Sequence, residues 1–211
     1  MKRITLLCGS RKPAPGDDSR SAAREMLREV ERGVRVTGHE SAWLDLRELT
    51  LPWWDGRTGR EYGNADLNHV CERIAASSAV VISAPSYWDA LSGVVKNVFD
   101  LTGPDPWRGR VVAGLVVGMN DSSAYHGEDQ LRQVVSAVGA WWAPYAFTIG
   151  NPRSHADRAQ LRKDLRRFGT YVGLMADPER RQAGDGTDEE RGVADERAGQ
   201  PDSPSRQAAG R

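Results

Sequence analysis

The sequence predicts an α/β fold in which a parallel sheet is covered by helices on both faces. Apolar runs of strand length alternate with segments of helical periodicity, five of each, along residues 3–176. Parallel strands need long crossover connections, and the helical segments supply them. The chain has 211 residues, which is enough for one domain with a substantial core.

The first half of the chain contains two predicted strands and two predicted helices. Residues 3–8 form a short apolar run, the first strand. Within residues 19–34 an apolar side chain recurs at every fourth position, which is typical of an amphipathic helix. Residues 40–49 predict a second strand with imperfect alternation. A long loop rich in Gly, Asp and Trp begins at residue 51, and the second helix covers 64–77 with Asn64 or Asp66 as its N-cap.

The second half repeats the alternation three times. The third strand is fully apolar and ends at Pro85, and the fourth strand is the strongest in the chain. A polar loop separates the fourth strand from its helix. The predicted ranges are strands at 78–84, 110–119 and 141–150, and helices at 90–103, 128–140 and 155–176.

The composition changes after residue 176. Residues 177–211 contain one branched aliphatic residue, Val193, and no aromatic residue. Such a segment buries too little apolar surface to offset the entropy of ordering. We therefore predict one domain over residues 1–176 and a disordered polar tail over 177–211. A solvated tail is favoured over a partner-binding one.

Charge and cysteine content exclude several classes of protein. The 29 basic and 29 acidic side chains cancel, which argues against a general nucleic-acid binder. No stretch approaches the roughly 18 apolar residues of a membrane span, and no secretory cleavage pattern follows the N-terminus. Cys8 and Cys71 are isolated thiols, and the four histidines are scattered. We expect a cytoplasmic protein without a metal site and without a membrane anchor.

In an open parallel sheet, ligands bind where the chain leaves the carboxyl ends of the strands. The first such loop covers residues 8–21. Its hydroxyl groups, its positive charges and the amides of the following helix suit a phosphate. From these residues alone, an ordinary helix N-cap without a ligand is an equally good interpretation. The residues concerned are Ser10, Arg11, Lys12, Ser19 and Ser21.

The second loop follows the third strand. Pro85, Ser86, Tyr87 and Trp88 would place backbone amides and aromatic edges at the rim of the sheet. A planar heteroaromatic ligand needs both, because its ring atoms take hydrogen bonds and its faces need apolar area. The alternative is that the two aromatic side chains only cover the end of the sheet, which is the commoner arrangement.

The third loop, residues 117–129, follows the strongest strand. Gly118, Asn120, Ser122 and Ser123 would form a flexible polar rim that can hydrogen-bond a ring or a second substrate. A plain surface loop is the alternative interpretation.

These loops resemble those of the NADPH-dependent FMN reductase family of flavodoxin-like proteins, and the similarity extends over roughly residues 3 to 175. Gly9-Ser10-Arg11 with the later serines is similar to the family's phosphate loop. Residues 84–88 and 92–100 resemble its Thr-Pro-Glu-Tyr-Asn loop and the Pro-Gly-x-x-Lys-Asn helix that follows, the most specific match in the chain. Ser86 and Trp88 stand where the family usually has Glu and Asn.

The resemblance implies a flavodoxin-like three-layer sandwich with a five-stranded parallel sheet in the order 2-1-3-4-5. It implies FMN and NADPH (or NADH) as cofactors. Hydride would pass from the nicotinamide to bound FMN and on to a quinone, an azo compound, free flavin or a metabolite, with no catalytic side chain. The implied FMN-binding residues are Ser10, Arg11, Ser19, Ser21, Pro85, Ser86, Tyr87, Trp88, Gly118, Asn120 and Ser122.

The resemblance also implies a homodimer or homotetramer. Residues 51–56, LPWWDG, resemble a Leu-Pro-x-x-Asp loop that often lies at a subunit interface in the family. We favour interface packing for this segment, because Trp is enriched in the cores of interfaces.

Three other functions stay open on the sequence alone. The first is an FMN-dependent dehydrogenase or reductase that is dedicated to one metabolite in a biosynthetic pathway. The second is a flavodoxin-type electron carrier, which the zero net charge argues against, because such carriers are usually strongly acidic. The third is an interaction module without a cofactor, which Asp17 and Asp18 in the phosphate loop would favour.

Overall fold

The computed structural model describes residues 1–12 and 21–177. Within these ranges the chain forms seven β-strands and five α-helices, and both Ser19 and the predicted tail beyond Asp177 lie outside the described residues. The strands are β1 (Arg3–Cys8), β2 (Glu40–Asp45), β3 (Ala79–Tyr87), β4 (Ala90–Leu91), β5 (Val111–Gly118), β6 (Trp141–Trp142) and β7 (Phe147–Gly150). The helices are α1 (Ala22–Val36), α2 (Ala65–Ala75), α3 (Gly93–Thr102), α4 (Asp121–Ala137) and α5 (Arg158–Met175).

The sheet has the order β2-β1-β3-β5-β6, with β7 also paired to β5 and β4 paired to β3. Every pairing in the order is parallel, and only the short β3–β4 pair is antiparallel. The predicted order 2-1-3-4-5 is confirmed, because β5 is the predicted fourth strand and β6 with β7 make up the fifth. The sheet has seven strands instead of the predicted five because β4 is an additional short strand and the predicted fifth strand is divided into β6 and β7.

The predicted fifth strand, 141–150, is interrupted. β6 pairs with Val111 and Val112 of β5, and β7 pairs with β5 from Leu115 onwards. Two residues of β5 therefore lie opposite the four residues that connect β6 to β7. This connecting segment must bulge out of the ladder of hydrogen bonds. Pro144, which has no N–H to donate, lies in this interruption.

The sequence predicts that the third strand ends at Pro85, but the strand continues to Tyr87. Pro85 lies in register with Val117 of β5. The opposite neighbour, β1, already ends opposite Ser83, so Pro85 lies where β3 has lost its second flanking strand, and a proline is tolerated at such a position. The chain then turns back through β4, and α3 begins at Gly93, three residues later than predicted.

The fourth helix begins at Asp121 and not at Glu128, so the predicted third loop is wrong for most of its length. Asn120 is the N-cap of α4, and its side-chain oxygen accepts a hydrogen bond of 2.8 Å from the amide of Ser123. The first two turns of α4 are rich in polar side chains. That composition conceals the helical period on which the prediction depended.

Two hydrophobic cores fill the two faces of the sheet, as a three-layer sandwich requires. One lies between the sheet and the pair α1–α5, and the other lies under α2, α3 and α4. β3 contributes to both, with Val81 in the first core and with Val80 and Ile82 in the second, because successive strand residues point to opposite faces. Residues 1–12 and 21–177 contain no helix that is long and apolar enough to cross a bilayer.

Candidate functional site

A cleft of about 300 Å³ lies at the carboxyl ends of β1, β3, β5 and β7. Strand order reverses between β1 and β3, because the chain proceeds from β1 to β2 on one side and continues with β3 on the other. Ligands of open α/β sheets bind at such a point. Six of the residues predicted from the sequence line this cleft: Ser10, Ser21, Pro85, Ser86, Tyr87 and Gly118.

The end of the cleft next to β1 is polar and positively charged. Ser10 is 1% exposed, and its hydroxyl oxygen accepts a hydrogen bond of 3.4 Å from the amide of Lys12. Ser21 is the N-cap of α1, so the positive end of that helix points into the cleft. The Lys12 side chain adds a formal positive charge. An anion such as a phosphate is the ligand that this set of groups favours.

A buried ion pair holds the loop after β1 in place. The Arg24 guanidinium on α1 donates to both carboxylate oxygens of Asp45, at 2.7 and 2.9 Å. The same group donates to the carbonyl oxygens of Ser10 and Lys12, at 3.0 and 3.2 Å. The hydrogen bond to Asp45 raises the pKa of Arg24, so the guanidinium is permanently charged. Four hydrogen bonds from one side chain therefore fix the loop to the end of β2.

The turn between β3 and β4 has a strained backbone, and hydrogen bonds hold it against α4. Trp88 and Asp89 have φ angles of 53° and 57°, the left-handed region that glycine usually occupies in two-residue hairpin turns. The hydroxyl oxygens of Ser86 and Ser123 lie 3.1 Å apart, and both residues are buried. The amide of Leu91 donates to the Gln130 side chain at 3.0 Å. Both contacts fasten the turn to α4.

Tyr87 connects the two ends of the cleft. Burial raises the pKa of its phenol, and a side-chain hydrogen bond with Ser10 acts in the opposite direction. The phenol hydroxyl therefore lies at the polar end, while the ring contributes apolar area beside Pro85 and Val117. The cleft thus joins a group of anion donors to an apolar wall.

Four of the residues predicted to bind FMN do not line the cleft in the part of the chain that the structure describes. Arg11 donates to the carbonyl oxygen of Leu46 at 3.4 Å, away from the cleft. Trp88 is fully exposed at the tip of its turn. Asn120 caps α4, and Ser122 is exposed on that helix, because the earlier helix start turns Ser123 inwards instead. A fifth, Ser19, lies outside the described residues.

Sequence reasoning missed the segment after β7. Asn151, Pro152 and Arg153 line the cleft, and the amide of Asn151 donates to the carbonyl oxygen of Gly118 at 3.0 Å. Asn151 has a φ of 45°, a conformation that asparagine adopts more readily than most residues. The dipeptide Asn-Pro directly after an apolar run is a turn signal that would have located this segment.

The residues present fit FMN. Buried hydroxyls, Lys12 and the start of α1 match a phosphate dianion, and Pro85, Val117 and the Tyr87 ring match a planar ring system. Burial raises the pKa of the Cys8 thiol, which precedes this loop, to about 11, so it is a neutral core group and not a nucleophile. In residues 1–12 and 21–177 no cluster of three His, Cys, Asp or Glu could hold a metal ion.

A larger cavity of about 950 Å³ lies elsewhere, between the loop 54–60, α2 and the end of α3. Its lining contains none of the residues predicted to bind FMN and none of the loops that follow β1, β3 and β5 at the carboxyl ends of the strands, where parallel sheets bind ligands. The cleft at the strand ends is therefore the better candidate site.

Comparison with known proteins identifies the family of this chain. The sequence profile of the NADPH-dependent FMN reductase family matches residues 2–153. An NAD(P)H-dependent FAD/FMN reductase of Geobacillus thermodenitrificans is 29% identical over 122 residues, which cover 58% of this chain and 63% of that protein. The NADH-dependent FMN reductase SfnF of Pseudomonas putida is 25% identical over 146 residues, 69% and 75% of the two chains. The match thus spans less than two thirds of the Geobacillus relative.

Solved structures show the same fold at low identity. An oxidoreductase from Corynebacterium diphtheriae superposes with a TM-score of 0.65 at 15% identity, covering 83% of this chain and 97% of that one. The apo form of the NADH:FMN oxidoreductase EMOB gives 0.66 at 15% identity, with 86% and 94% coverage. A flavodoxin from the domain Archaea gives 0.57 at 8% identity, covering 82% and 98% of the two chains. The flavodoxin-like fold is therefore confirmed.

Replacing Arg24 with methionine should loosen the candidate site and destabilise the fold. The change leaves the Asp45 carboxylate buried without its partner, which costs about 3 kcal/mol or more of unfolding free energy. FMN affinity should also fall about tenfold or more, because the carbonyl groups of Ser10 and Lys12 lose their anchor; tenfold corresponds to about 1.4 kcal/mol. Urea unfolding and FMN titration measure the two effects.

The matched control is Arg3→Met, which removes an exposed ion pair with Glu40. Its unfolding free energy should change by less than about 1 kcal/mol. If Arg24→Met retained the FMN affinity of the wild type, the ion pair would not be what holds the loop.

Proposed function

Because the chain belongs to the NADPH-dependent FMN reductase family, we propose that it binds FMN and transfers hydride from NADPH or NADH to it. Electrons would then pass to a small acceptor, such as a quinone, an azo compound, free flavin or a metabolite. The cleft at the switch point supports this proposal most directly, because it joins anion donors to an apolar wall in the positions that the family motif predicts.

The protein's part in this reaction is to bind and orient. Ser10, Ser21 and Lys12 would hold the FMN phosphate with the start of α1, and Pro85 with Val117 would contact the ring. Bound FMN supplies the hydride-accepting chemistry, so no side-chain nucleophile or general base is needed.

The acceptor side of the site would be formed by the β3–β4 turn. Its tip presents Trp88, a fully exposed indole held on a strained backbone next to the cleft. Strain of this kind persists where the surrounding structure enforces it, often at functional sites. This feature favours a second candidate function, a reductase dedicated to one planar metabolite that stacks on Trp88.

We further propose a cytoplasmic homo-oligomer. Trp53 and Trp54 are 71% and 51% exposed, and the Asn97 side chain fastens their loop to α3 through Pro52 and Trp54. Trp88 precedes the same helix by one short turn. Exposed aromatic groups held on ordered backbone are typical of interface cores. The free thiols Cys8 and Cys71 are consistent with a reducing compartment.

Anaerobic reconstitution tests the function. The protein is loaded with FMN and mixed with NADPH, and the yellow absorption band of the oxidised flavin is followed. Rapid bleaching is expected, and restoration of the band by added quinone would identify an acceptor class. A bound flavin that stays yellow with both NADPH and NADH would contradict the proposal and favour an electron carrier or a dehydrogenase dedicated to one metabolite.

Ser10→Ala should weaken FMN binding about tenfold, because a buried hydroxyl would no longer contact the charged phosphate. Riboflavin, which lacks the phosphate, should bind both proteins equally. Ser122→Ala is the matched control, since that serine is exposed on α4 outside the cleft and its loss should not change FMN affinity. An equal loss of riboflavin and FMN affinity in Ser10→Ala would indicate general damage and not a phosphate contact.

Sedimentation velocity tests the oligomer. The wild type should sediment as a dimer or tetramer at micromolar concentration, and the double variant Trp53→Ser/Trp54→Ser should shift towards the monomer. Trp141→Ser is the control, because Trp141 is 70% exposed on β6, the strand at the far end of the sheet order. A monomeric wild type, or a shift caused equally by Trp141→Ser, would contradict the proposed interface.

A further inference from the structure

A second cleft, of about 810 Å³, lies between α1 and the edge strand β2. Its helix wall carries arginines at positions 24, 28, 32 and 35, a spacing that places them along one side of α1. The opposite wall carries Trp43, Asp45 and Arg47. We call these residues the arginine cleft. It contains none of the residues expected to bind FMN.

Most of the charges in the arginine cleft are already paired. Arg24 is paired with Asp45, as described above. Arg35 pairs with Glu31 at 2.7 Å, and Ser41 also donates to that carboxylate. Arg32 pairs with Glu29 at 2.8 Å, and Arg166 of α5 donates to the same carboxylate.

Two arginines are left over. Among residues 1–12 and 21–177, the guanidinium groups of Arg28 and Arg47 have neither an ion-pair nor a hydrogen-bond partner. Glu48 also lines the cleft, and its carboxylate offsets one of their two charges at most. The cleft therefore has an excess of positive charge beside Trp43, a half-buried indole.

We propose that the arginine cleft binds an adenosine phosphate, with the phosphate on Arg28 and Arg47 and the base against Trp43. Guanidinium groups bind phosphate through two parallel hydrogen bonds, and they do not lose their charge when desolvated. An indole provides a stacking surface for any purine. The Arg24–Asp45 ion pair forms one end of the arginine cleft and separates it from the loop that carries Ser10.

Two ligands carry this chemistry. One is the 2′-phosphoadenosine end of NADPH, in which case the arginine cleft would select NADPH over NADH. Of the two ligands, only NADPH depends on the proposed function. The other is a separate nucleotide that binds independently of the flavin reaction.

Calorimetric titration of the FMN-saturated protein tests the site without relying on activity. The probes are 2′,5′-ADP, 5′-AMP and adenosine. The wild type should bind both phosphates more tightly than adenosine. The variant Arg28→Gln/Arg47→Gln should bind 2′,5′-ADP at least about tenfold more weakly, because two charge-assisted contacts are lost. Neither side chain has a structural partner, so the variant should fold, which thermal melting and FMN retention verify.

The matched control is Arg158→Gln/Arg162→Gln, which removes the same charge from exposed positions of α5 and should leave the titration unchanged. Steady-state assays of Arg28→Gln/Arg47→Gln separate the two sources. A rise in KM for NADPH with an unchanged KM for NADH supports NADPH as the ligand, and unchanged values for both support a separate nucleotide.

Two results would overturn the proposal. One is a wild type that binds neither 2′,5′-ADP nor 5′-AMP. The other is equal affinity in the wild type and Arg28→Gln/Arg47→Gln, which would place any bound nucleotide elsewhere. Failure of NADPH to bleach the flavin would contradict the proposed function but would leave the calorimetric result valid.

Discussion

The ion pair between Arg24 and Asp45 is the interaction on which the site depends. It joins three parts of the fold, α1, the end of β2 and the loop after β1, and both side chains are about 90% removed from solvent. A buried ion pair is rarely the most stable solution for a core, because desolvation of the two charges offsets much of their attraction. Its advantage here is geometric. The guanidinium also holds the carbonyl oxygens of Ser10 and Lys12, so these carbonyls point into the protein while Ser10 lines the cleft.

The opposite side of the cleft is held in a different way. The β3–β4 turn keeps two non-glycine residues at positive φ, and its position is maintained by the contact between Ser86 and Ser123 and by the hydrogen bond from Leu91 to Gln130. The cleft therefore consists of two halves with separate supports. β3 connects them, since the Ser83 hydroxyl donates to the carbonyl oxygen of Ala23 in the first turn of α1.

Much of the fold could be predicted from the sequence, because apolar runs such as residues 78–84 and 110–119 are of strand length and rich in β-branched residues, which favours buried parallel strands. The cleft loops after β1 and β3 were predicted for the same reason, since the carboxyl ends of the strands follow from the strands themselves. The start of α4 could not be predicted, because its polar first turns hide the helical period. The ion pair of Arg24 could not be predicted either, since it joins residues 21 positions apart and local patterns do not report such a pairing.

Because the two halves of the cleft have separate supports, Ser86 and Trp88, which stand where the family usually has Glu and Asn, can vary without disturbing the polar end of the cleft. Ser86 packs closely against α4. A Cβ placed on Gly127 would lie only 3.0 Å from the Ser86 Cβ, so the helix and the turn can approach each other this closely because position 127 is a glycine. Trp88 instead projects into solvent. Under the proposed function, changes at the turn would alter what approaches the flavin without altering the groups proposed to hold its phosphate. Selection for a new acceptor would then act on Trp88, while the Arg24–Asp45 ion pair would be retained.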